Sequence, residues 1–139
     1  MRYLALIGLC ALLAACTSEV PKETPEETEE STIVDKKDLI VIEGNLYTEF
    51  YPGKVKIKFQ GTQDENKQRH GKWTFYNEKG MEISTTMYEH GKKHGHSIVK
   101  YDNGAVFYMG EYRDDKQVGI WKTYKPNGDL DTEKDFGNL

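Results

Sequence analysis

Short apolar runs separated by glycine-containing turns fill the chain from residue 39 onward. Each run has five to eight residues and is rich in aromatic and β-branched side chains; the runs are residues 72–76, 81–88, 97–101, 105–112, 120–124 and 130–136. Runs of this length are typical of strands, whereas helices in globular proteins are longer. The intervening sequences that end on Gly80, Gly104 and Gly128 are typical of hairpin turns. The pattern predicts consecutive β-hairpins, with residues 39–42 as a further short strand at the N-terminal edge.

Three sets of residues repeat in this region with a common period of 24. Two are sets of glycines and one is a set of aromatic residues: Gly71, Gly95 and Gly119; Gly80, Gly104 and Gly128; Tyr88, Tyr112 and Phe136. A fixed period of this length indicates a structural repeat. Gly44 and Gly53 indicate a degenerate earlier copy, and the interval of 27 from Gly53 to Gly80 predicts three extra residues between positions 61 and 70. We therefore predict an antiparallel meander with two strands in each repeat.

The alternation of apolar and polar positions indicates that both faces of the sheet carry some apolar surface. In most second strands the apolar residues lie at even offsets from the turn glycine, for example Val55, Ile57 and Phe59. The copy after Gly80 places them at odd offsets: Met81, Ile83 and Met87. No segment has the period of an amphipathic helix that would cover either face. We therefore expect an all-β fold, a single twisted antiparallel sheet, for residues 39–139.

The first residues of the chain resemble a targeting signal. Arg2 is the only charged residue before an apolar run over residues 3–15, which is shorter than the roughly 20 residues needed to cross a bilayer. A short basic start, an apolar stretch and small residues are typical of a secretory signal peptide. The sequence Leu13-Ala14-Ala15-Cys16 resembles the lipobox of bacterial lipoproteins. This resemblance implies a signal peptide over residues 1–15 and a lipid on Cys16 that anchors the chain in a membrane. An ordinary secretory signal is the alternative.

The lipoprotein interpretation has two consequences. Cys10 leaves with the signal and Cys16 carries lipid, so the mature chain has no free thiol and no disulfide. Position 17 is threonine, whereas aspartate at this position resembles an inner-membrane retention signal of proteobacterial lipoproteins. The expected location is therefore the outer membrane of a bacterial envelope, on its periplasmic face or at the cell surface.

Charge divides the rest of the chain into two parts. Residues 17–38 contain eight acidic and three basic side chains, two prolines and no aromatic residue. Such a segment buries too little apolar surface to offset its conformational entropy, so we expect residues 16–38 to be a lipidated cysteine followed by a disordered acidic tether. Residues 39–139 carry fifteen charges of each sign. A neutral domain lacks the basic excess that nucleic-acid binding needs, so no nucleic acid is expected as a partner.

Two segments of the repeat carry a family resemblance. Residues 71–80 begin Gly-Lys-Trp and end Asn-Glu-Lys-Gly, and residues 119–128 begin Gly-Ile-Trp and end Lys-Pro-Asn-Gly. They resemble MORN repeats, more closely the bacterial variant of YwqK-type proteins, and Glu111-Tyr112 is similar to the end of that family's second strand. The middle unit departs from the pattern, because Ser97 replaces tryptophan and the tyrosine shifts to Tyr101.

The resemblance implies rows of hairpins in one sheet. It also implies a role in protein–protein contact, assembly or phospholipid binding. YwqK-type proteins are often labelled antitoxin components, which implies a toxin protein as partner. A lipid-anchored copy would not meet a cytosolic toxin, so this role is disfavoured.

Aromatic residues recur on the first strand of each unit, and we regard them as the candidate contact residues: Trp73, Tyr76, Tyr101, Trp121 and Tyr124. Cross-strand aromatic pairs also stabilise a sheet that no helix covers, and this structural role is favoured. It leaves binding open, because a one-layer sheet presents aromatic surface to a partner. The expected partner is another protein or a second copy, and a glycan or phospholipid is the alternative.

The sequence gives less support for metal binding or catalysis. His90, His94 and His96 lie close enough in sequence to suggest zinc or copper. His70 and His94 occupy the same position of successive units, however, so a turn preference is favoured and we assign neither a metal site nor a cofactor. The sequence has no nucleophile elbow and no phosphate-binding loop, and the mature chain has no cysteine nucleophile. We expect a non-catalytic protein.

Overall fold

The structure, a computed structural model, describes residues 35–138, which form one antiparallel sheet. Its nine strands are β1 (Ile40–Glu43), β2 (Leu46–Phe50), β3 (Ile57–Gln63), β4 (Arg69–Tyr76), β5 (Glu82–Glu89), β6 (Lys92–Lys100), β7 (Val106–Arg113), β8 (Lys116–Tyr124) and β9 (Leu130–Asp135). Strand order in the sheet follows strand order in the sequence, so the sheet is an open meander with β1 and β9 at its edges. The predicted all-β meander of hairpins is confirmed.

A single-turn 3₁₀ helix, Lys36–Leu39, precedes β1. Asp35 caps it, because its carboxylate accepts the backbone N–H of Lys37 at 3.1 Å and its carbonyl accepts that of Asp38 at 2.9 Å. The structure thus places one helical turn at the end of the segment that was predicted to be a disordered tether. The predicted signal peptide, Cys16 and the rest of the predicted tether lie outside the described residues. Within residues 35–138, no helix has the length and apolar character needed to cross a membrane.

The first strand of each unit begins earlier than predicted, at Arg69, Lys92 and Lys116. The prediction placed the periodic glycines at strand ends, but Gly71, Gly95 and Gly119 lie inside β4, β6 and β8 with φ angles of 72°, 95° and 60°. The pairing register shifts beside each of them, which marks a β-bulge. Glycine adopts the left-handed conformation that such a bulge requires at little cost, which explains its recurrence there.

The first hairpin aligns with the later units differently from the prediction. Lys54, rather than Gly53, occupies the position of Gly80, because its N–H donates to the carbonyl of Tyr51 at 3.0 Å and its φ is 54°. The turn continues to residue 56, so Val55 is exposed instead of lying in a strand. The glycine interval of 27 therefore compares positions that are not equivalent.

The predicted insertion of three residues between positions 61 and 70 is also wrong in size. Asp64 still pairs with Gln68 through an N–H···O bond of 2.9 Å, and together they enclose residues 65–67. The equivalent pair in the later unit, Arg113 and Lys116, encloses residues 114–115. The turn between β3 and β4 thus holds one extra residue.

Side chains on one side of the sheet form its core. We call this side, which carries Trp73 and Trp121, the tryptophan face; the opposite face carries Thr74 and Lys122. Trp73 is 2% exposed and Trp121 6% exposed, although no second layer covers them within the described residues. Their burial comes from neighbouring side chains and from the sheet beneath them.

Each tryptophan lies directly over a glycine of the preceding strand. A Cβ atom on Gly61 would lie 2.5 Å from Cε2 of Trp73, and one on Gly110 would lie 2.7 Å from Cγ of Trp121. Each indole N–H donates to the carbonyl of the residue after that glycine, at 2.8 and 3.0 Å. The missing side chain therefore provides the space in which the indole packs against the backbone.

Candidate binding surface

The rings of the tryptophan face form two clusters. Ring-centroid separations of 5.8–6.3 Å join Trp73 to Tyr47, Phe59 and Tyr88 in the first cluster, and Phe75 lies 5.6 Å from Phe59. Separations of 4.8–6.4 Å join Trp121 to the second cluster, which also contains Tyr108, Tyr112 and Phe136. Between them the middle unit places Thr86 opposite Ser97, and their buried hydroxyls form a hydrogen bond of 2.9 Å. Alternate units therefore build the aromatic clusters.

The structure divides the five predicted contact residues between the faces. Trp73 and Trp121 are buried on the tryptophan face, one in each cluster, where they have the structural role that the sequence favoured. Tyr76 and Tyr124 lie on the opposite face. Tyr101 follows β6, and its hydroxyl donates to the carbonyl of Tyr124 at 2.8 Å. These residues consequently do not form one continuous surface.

Long cationic side chains lie over the rings of the tryptophan face. The guanidinium carbon of Arg69 is 4.6 Å from the ring centroid of Trp73 and 5.3 Å from that of Tyr88. Lys93 Nζ lies 4.8 Å from the ring centroid of Tyr112. Cations are attracted to the negative faces of aromatic rings, so these side chains are held against the clusters.

Lys134 is a third cation on the tryptophan face that lies over a ring, with its Nζ 4.5 Å from the ring centroid of Phe136. None of these three cations takes part in a salt bridge with another described residue. Glu49, an acid on this face, is buried and already accepts hydrogen bonds from Lys58 Nζ at 3.2 Å and from the Tyr47 hydroxyl at 3.3 Å. Burial, together with the charge of Glu49, raises the pKa of the Tyr47 phenol.

Charges on the opposite face are paired. Three acid–base pairs span adjacent or nearby strands there, at N···O distances of 2.8, 3.2 and 3.4 Å: Glu82–Lys100, Glu111–His96 and Glu133–Lys122. The hydrogen bond from Lys100 lowers the pKa of the Glu82 carboxyl. The two faces therefore differ, since the tryptophan face carries aromatic clusters with cations over their rings, and the opposite face carries cross-strand ion pairs beside exposed apolar side chains such as Ile120.

The structure separates the histidines that the sequence placed together. Their Nδ1 atoms contact different acids: His90 lies 2.8 Å from Asp64, His94 3.5 Å from Glu89, and His96 3.2 Å from Glu111. The neighbour of His90 is instead His70, at a ring-centroid distance of 5.2 Å. In the part of the chain that the structure describes, no group of three or more histidine, cysteine or acidic side chains is placed to hold a metal ion.

A groove of about 760 Å³ lies beside His70 and His90, at the turn between β3 and β4. Asp64 lines it, and one of its carboxylate oxygens accepts the backbone N–H groups of Asn66 and Gln68 at 2.9 and 2.8 Å. The other oxygen contacts His90, and this hydrogen bond lowers the pKa of Asp64. Asp64 is thus occupied in shaping the turn.

Sequence reasoning missed five residues of this surface. Arg69 and Lys93 are 24 residues apart, as are Lys93 and Gln117, so the period itself would have found them. Gly61 and Gly110 lack that signal, because the position between them in the repeat is Thr86. Only the packing of the indoles shows why these two strands need a glycine.

No family model, curated protein or solved structure matches this chain.

Proposed function

We propose that this chain is a non-catalytic, lipid-anchored protein of the bacterial cell envelope. In this proposal its MORN-like repeat sheet binds another protein or a second copy of itself. The lipobox-like sequence that ends at Cys16 supports the anchor, and the surface of the sheet supports the binding role.

The observation that carries the binding role is the exposure of large apolar side chains on the last three strands. Ile120 is 53% exposed and Leu130 51% exposed, and Phe107 and Met109 are also exposed. Ile120 and Met109 line a groove of about 410 Å³ on the opposite face. Exposed apolar surface is typical of interaction sites, so these strands are the best candidates for contact with a protein.

The geometry favours a protein over a glycan. Sugar rings stack on exposed aromatic faces, but Trp73 and Trp121 are buried, and Arg69 covers one of the rings. A protein partner needs no free ring face, because it packs apolar and charged side chains around the edges of the clusters.

The anchor is tested by membrane fractionation of cells that make Cys16→Ala. We expect this variant to leave the membrane fraction, because it cannot be acylated. Cys10→Ala is the matched control, since it lies within the signal and its removal leaves the lipobox-like sequence intact. A Cys16→Ala protein that stays with the membrane as firmly as wild type would contradict the anchor.

The binding role is tested by cross-linking and pull-down from detergent-solubilised envelope. We expect reproducible capture of a defined protein, or of a second copy of the chain. Glycan and phospholipid arrays provide the counter-test. Selective binding on an array, with no protein captured, would reverse the order of the two functions.

A further inference from the structure

We infer that the tryptophan face binds an extended acidic segment of a protein partner. This inference rests on the proposed protein-binding function, adds a second contact surface on the face opposite the groove of Ile120 and Met109, and specifies the chemistry of the partner. The proposed site is a row of alternating cationic or polar and aromatic side chains, one from each of five consecutive strands. We call it the cation–ring row, and its members are Arg69, Tyr88, Lys93, Tyr112 and Gln117.

Strand pairing and side-chain contacts make the row continuous across β4 to β8. Arg69 Nη1 donates to the Tyr88 hydroxyl at 3.2 Å, and Tyr88 pairs with Lys93 across β5 and β6. Lys93 covers the ring of Tyr112, which pairs with Gln117 across β7 and β8. The row therefore follows the repeat, with a cationic or polar residue from each of three first strands and an aromatic residue from each of the two strands between them.

The spacing of the cations matches an extended polypeptide. Arg69 and Lys93 come from strands two apart, which separates their backbones by about 10 Å, because adjacent strands lie about 4.8 Å apart. Three residues of an extended chain in the polyproline II conformation span about 9 Å and bring the side chains of the first and fourth residues to the same side. Two acids separated by two intervening residues would thus reach both cations from a segment that crosses the strands.

Charge complementarity identifies the segment as acidic. Arg69, Lys93 and Lys134 form no salt bridge with another described residue, whereas the acids of the opposite face are held by their own cations. Glu49 is occupied by Lys58. An incoming carboxylate would therefore gain an ion pair without breaking one within the sheet.

A groove beside the row supplies an apolar contact for the same segment. It has a volume of about 400 Å³, and its walls include Tyr108, Tyr112, Trp121 and Phe136. Lys134 and Gln117 lie at the same groove. An apolar side chain that follows the acidic residues would pack there, which favours a polypeptide over a carbohydrate or a lipid head group as the ligand.

The test uses the full chain in detergent micelles and a fluorescently labelled, end-capped peptide. The peptide carries two glutamates separated by two glycines, followed by a leucine; in the matched probe, glutamine replaces both glutamates. Binding is measured by fluorescence anisotropy at low and high salt. We expect the glutamate peptide to bind at least tenfold more tightly than the glutamine peptide at low salt, and to weaken as salt rises.

The variants compare the two faces. The double variant Arg69→Gln/Lys93→Gln should bind the glutamate peptide about tenfold more weakly, because each lost ion pair contributes up to about fivefold. The control is Lys72→Gln/Lys92→Gln, which removes two charges from the same strands without touching the row. Circular dichroism checks that each variant folds. If the double variant does not fold, Lys93→Gln should lose affinity and Lys93→Arg should keep it.

The outcomes separate this inference from the proposed function. Equal weakening by both double variants, or equal binding of both peptides, would overturn the cation–ring row as the site. A protein captured from the envelope with no dependence on Arg69 or Lys93 would also overturn it, while the protein-binding function would stand. Binding of anionic vesicles or acidic glycans through these cations, without binding of the peptide, would overturn the choice of ligand.

Discussion

At the scale of single residues, the absence of a side chain matters as much as its presence. Trp73 and Trp121 are buried in a sheet that has no second layer within residues 35–138, because each indole occupies space that a Cβ would fill. The indole N–H also donates a hydrogen bond to a backbone carbonyl, so this polar group has a partner although it is buried. A glycine and a tryptophan on neighbouring strands thus act as one packing unit.

Gly110→Ala should test this unit. The added methyl group would overlap the ring of Trp121, so we expect the free energy of unfolding to fall by about 1–3 kcal/mol. Thermal denaturation followed by circular dichroism measures the effect. Thr86→Ala is the control, because the equivalent position of the middle unit already has a Cβ; it should lose only the hydrogen bond to Ser97, about 1 kcal/mol. A Gly110→Ala protein as stable as wild type would contradict the proposed packing.

A second residue-scale prediction concerns acid. The hydrogen bond from Lys100 holds the pKa of Glu82 below its ordinary value of 4.5. A carboxyl whose folded pKa is lower than its unfolded pKa stabilises the fold above the unfolded value, and this stabilisation is lost as pH falls through the folded value. Glu82→Gln should therefore show a smaller loss of stability than wild type between pH 6 and pH 3 in urea denaturation. Glu78→Gln, in an exposed turn, is the control and should follow wild type.

At the scale of elements, successive 24-residue units alternate between two combinations of side chains on neighbouring strands. Strands β4 and β8 each carry a tryptophan that packs over a glycine of the preceding strand. Strand β6 instead carries Ser97, which lies opposite Thr86. In each combination the two positions are matched, since a large side chain meets none and two small side chains meet each other. The change from tryptophan to Ser97 is therefore accompanied by a change in its neighbour across the strands, from glycine to Thr86.

This pairing predicts a rescue. Ser97→Trp alone should be strongly destabilising, because the indole would overlap the Thr86 side chain, and Thr86→Gly alone should lose a buried hydrogen bond. The double variant Thr86→Gly/Ser97→Trp should recreate the packing of the neighbouring units. We expect a favourable coupling energy of about 1–3 kcal/mol in a double-mutant cycle of unfolding free energies. Additive effects of the two substitutions would contradict the equivalence of the units.

At the scale of the whole molecule, the sheet behaves as a repeat array. Each strand contacts mainly its neighbours in sequence, so one unit can be removed without disturbing distant pairings. The charge follows the same division, because the excess of acid lies in residues 17–38 and the repeat region is neutral. The net charge of −4 for the chain consequently does not describe the surface that we propose for binding.

Deletion of residues 85–108 should give a shorter protein that still folds. The deletion removes 24 residues and joins Ser84 to Met109 in phase, so Gly110 stays beneath Trp121. We expect a single cooperative thermal transition at a lower temperature than wild type. Deletion of residues 85–107 differs by one residue and turns the following side chains to the wrong face. Cooperative unfolding of this second variant at the same temperature as the first would contradict the role of the period.

The sequence by itself determined the all-β fold, the order of the hairpins and the 24-residue period, because turn glycines and strand periodicity are local signals. It could not place Gly71 inside β4, since a bulge depends on the strand opposite. It proposed five first-strand aromatic residues as one set, whereas pleating and bulges place Trp73 and Tyr76 on different faces. Only the tertiary structure decided that Gly61 lies beneath an indole and that Arg69 covers its ring, because both facts depend on residues that meet across neighbouring strands.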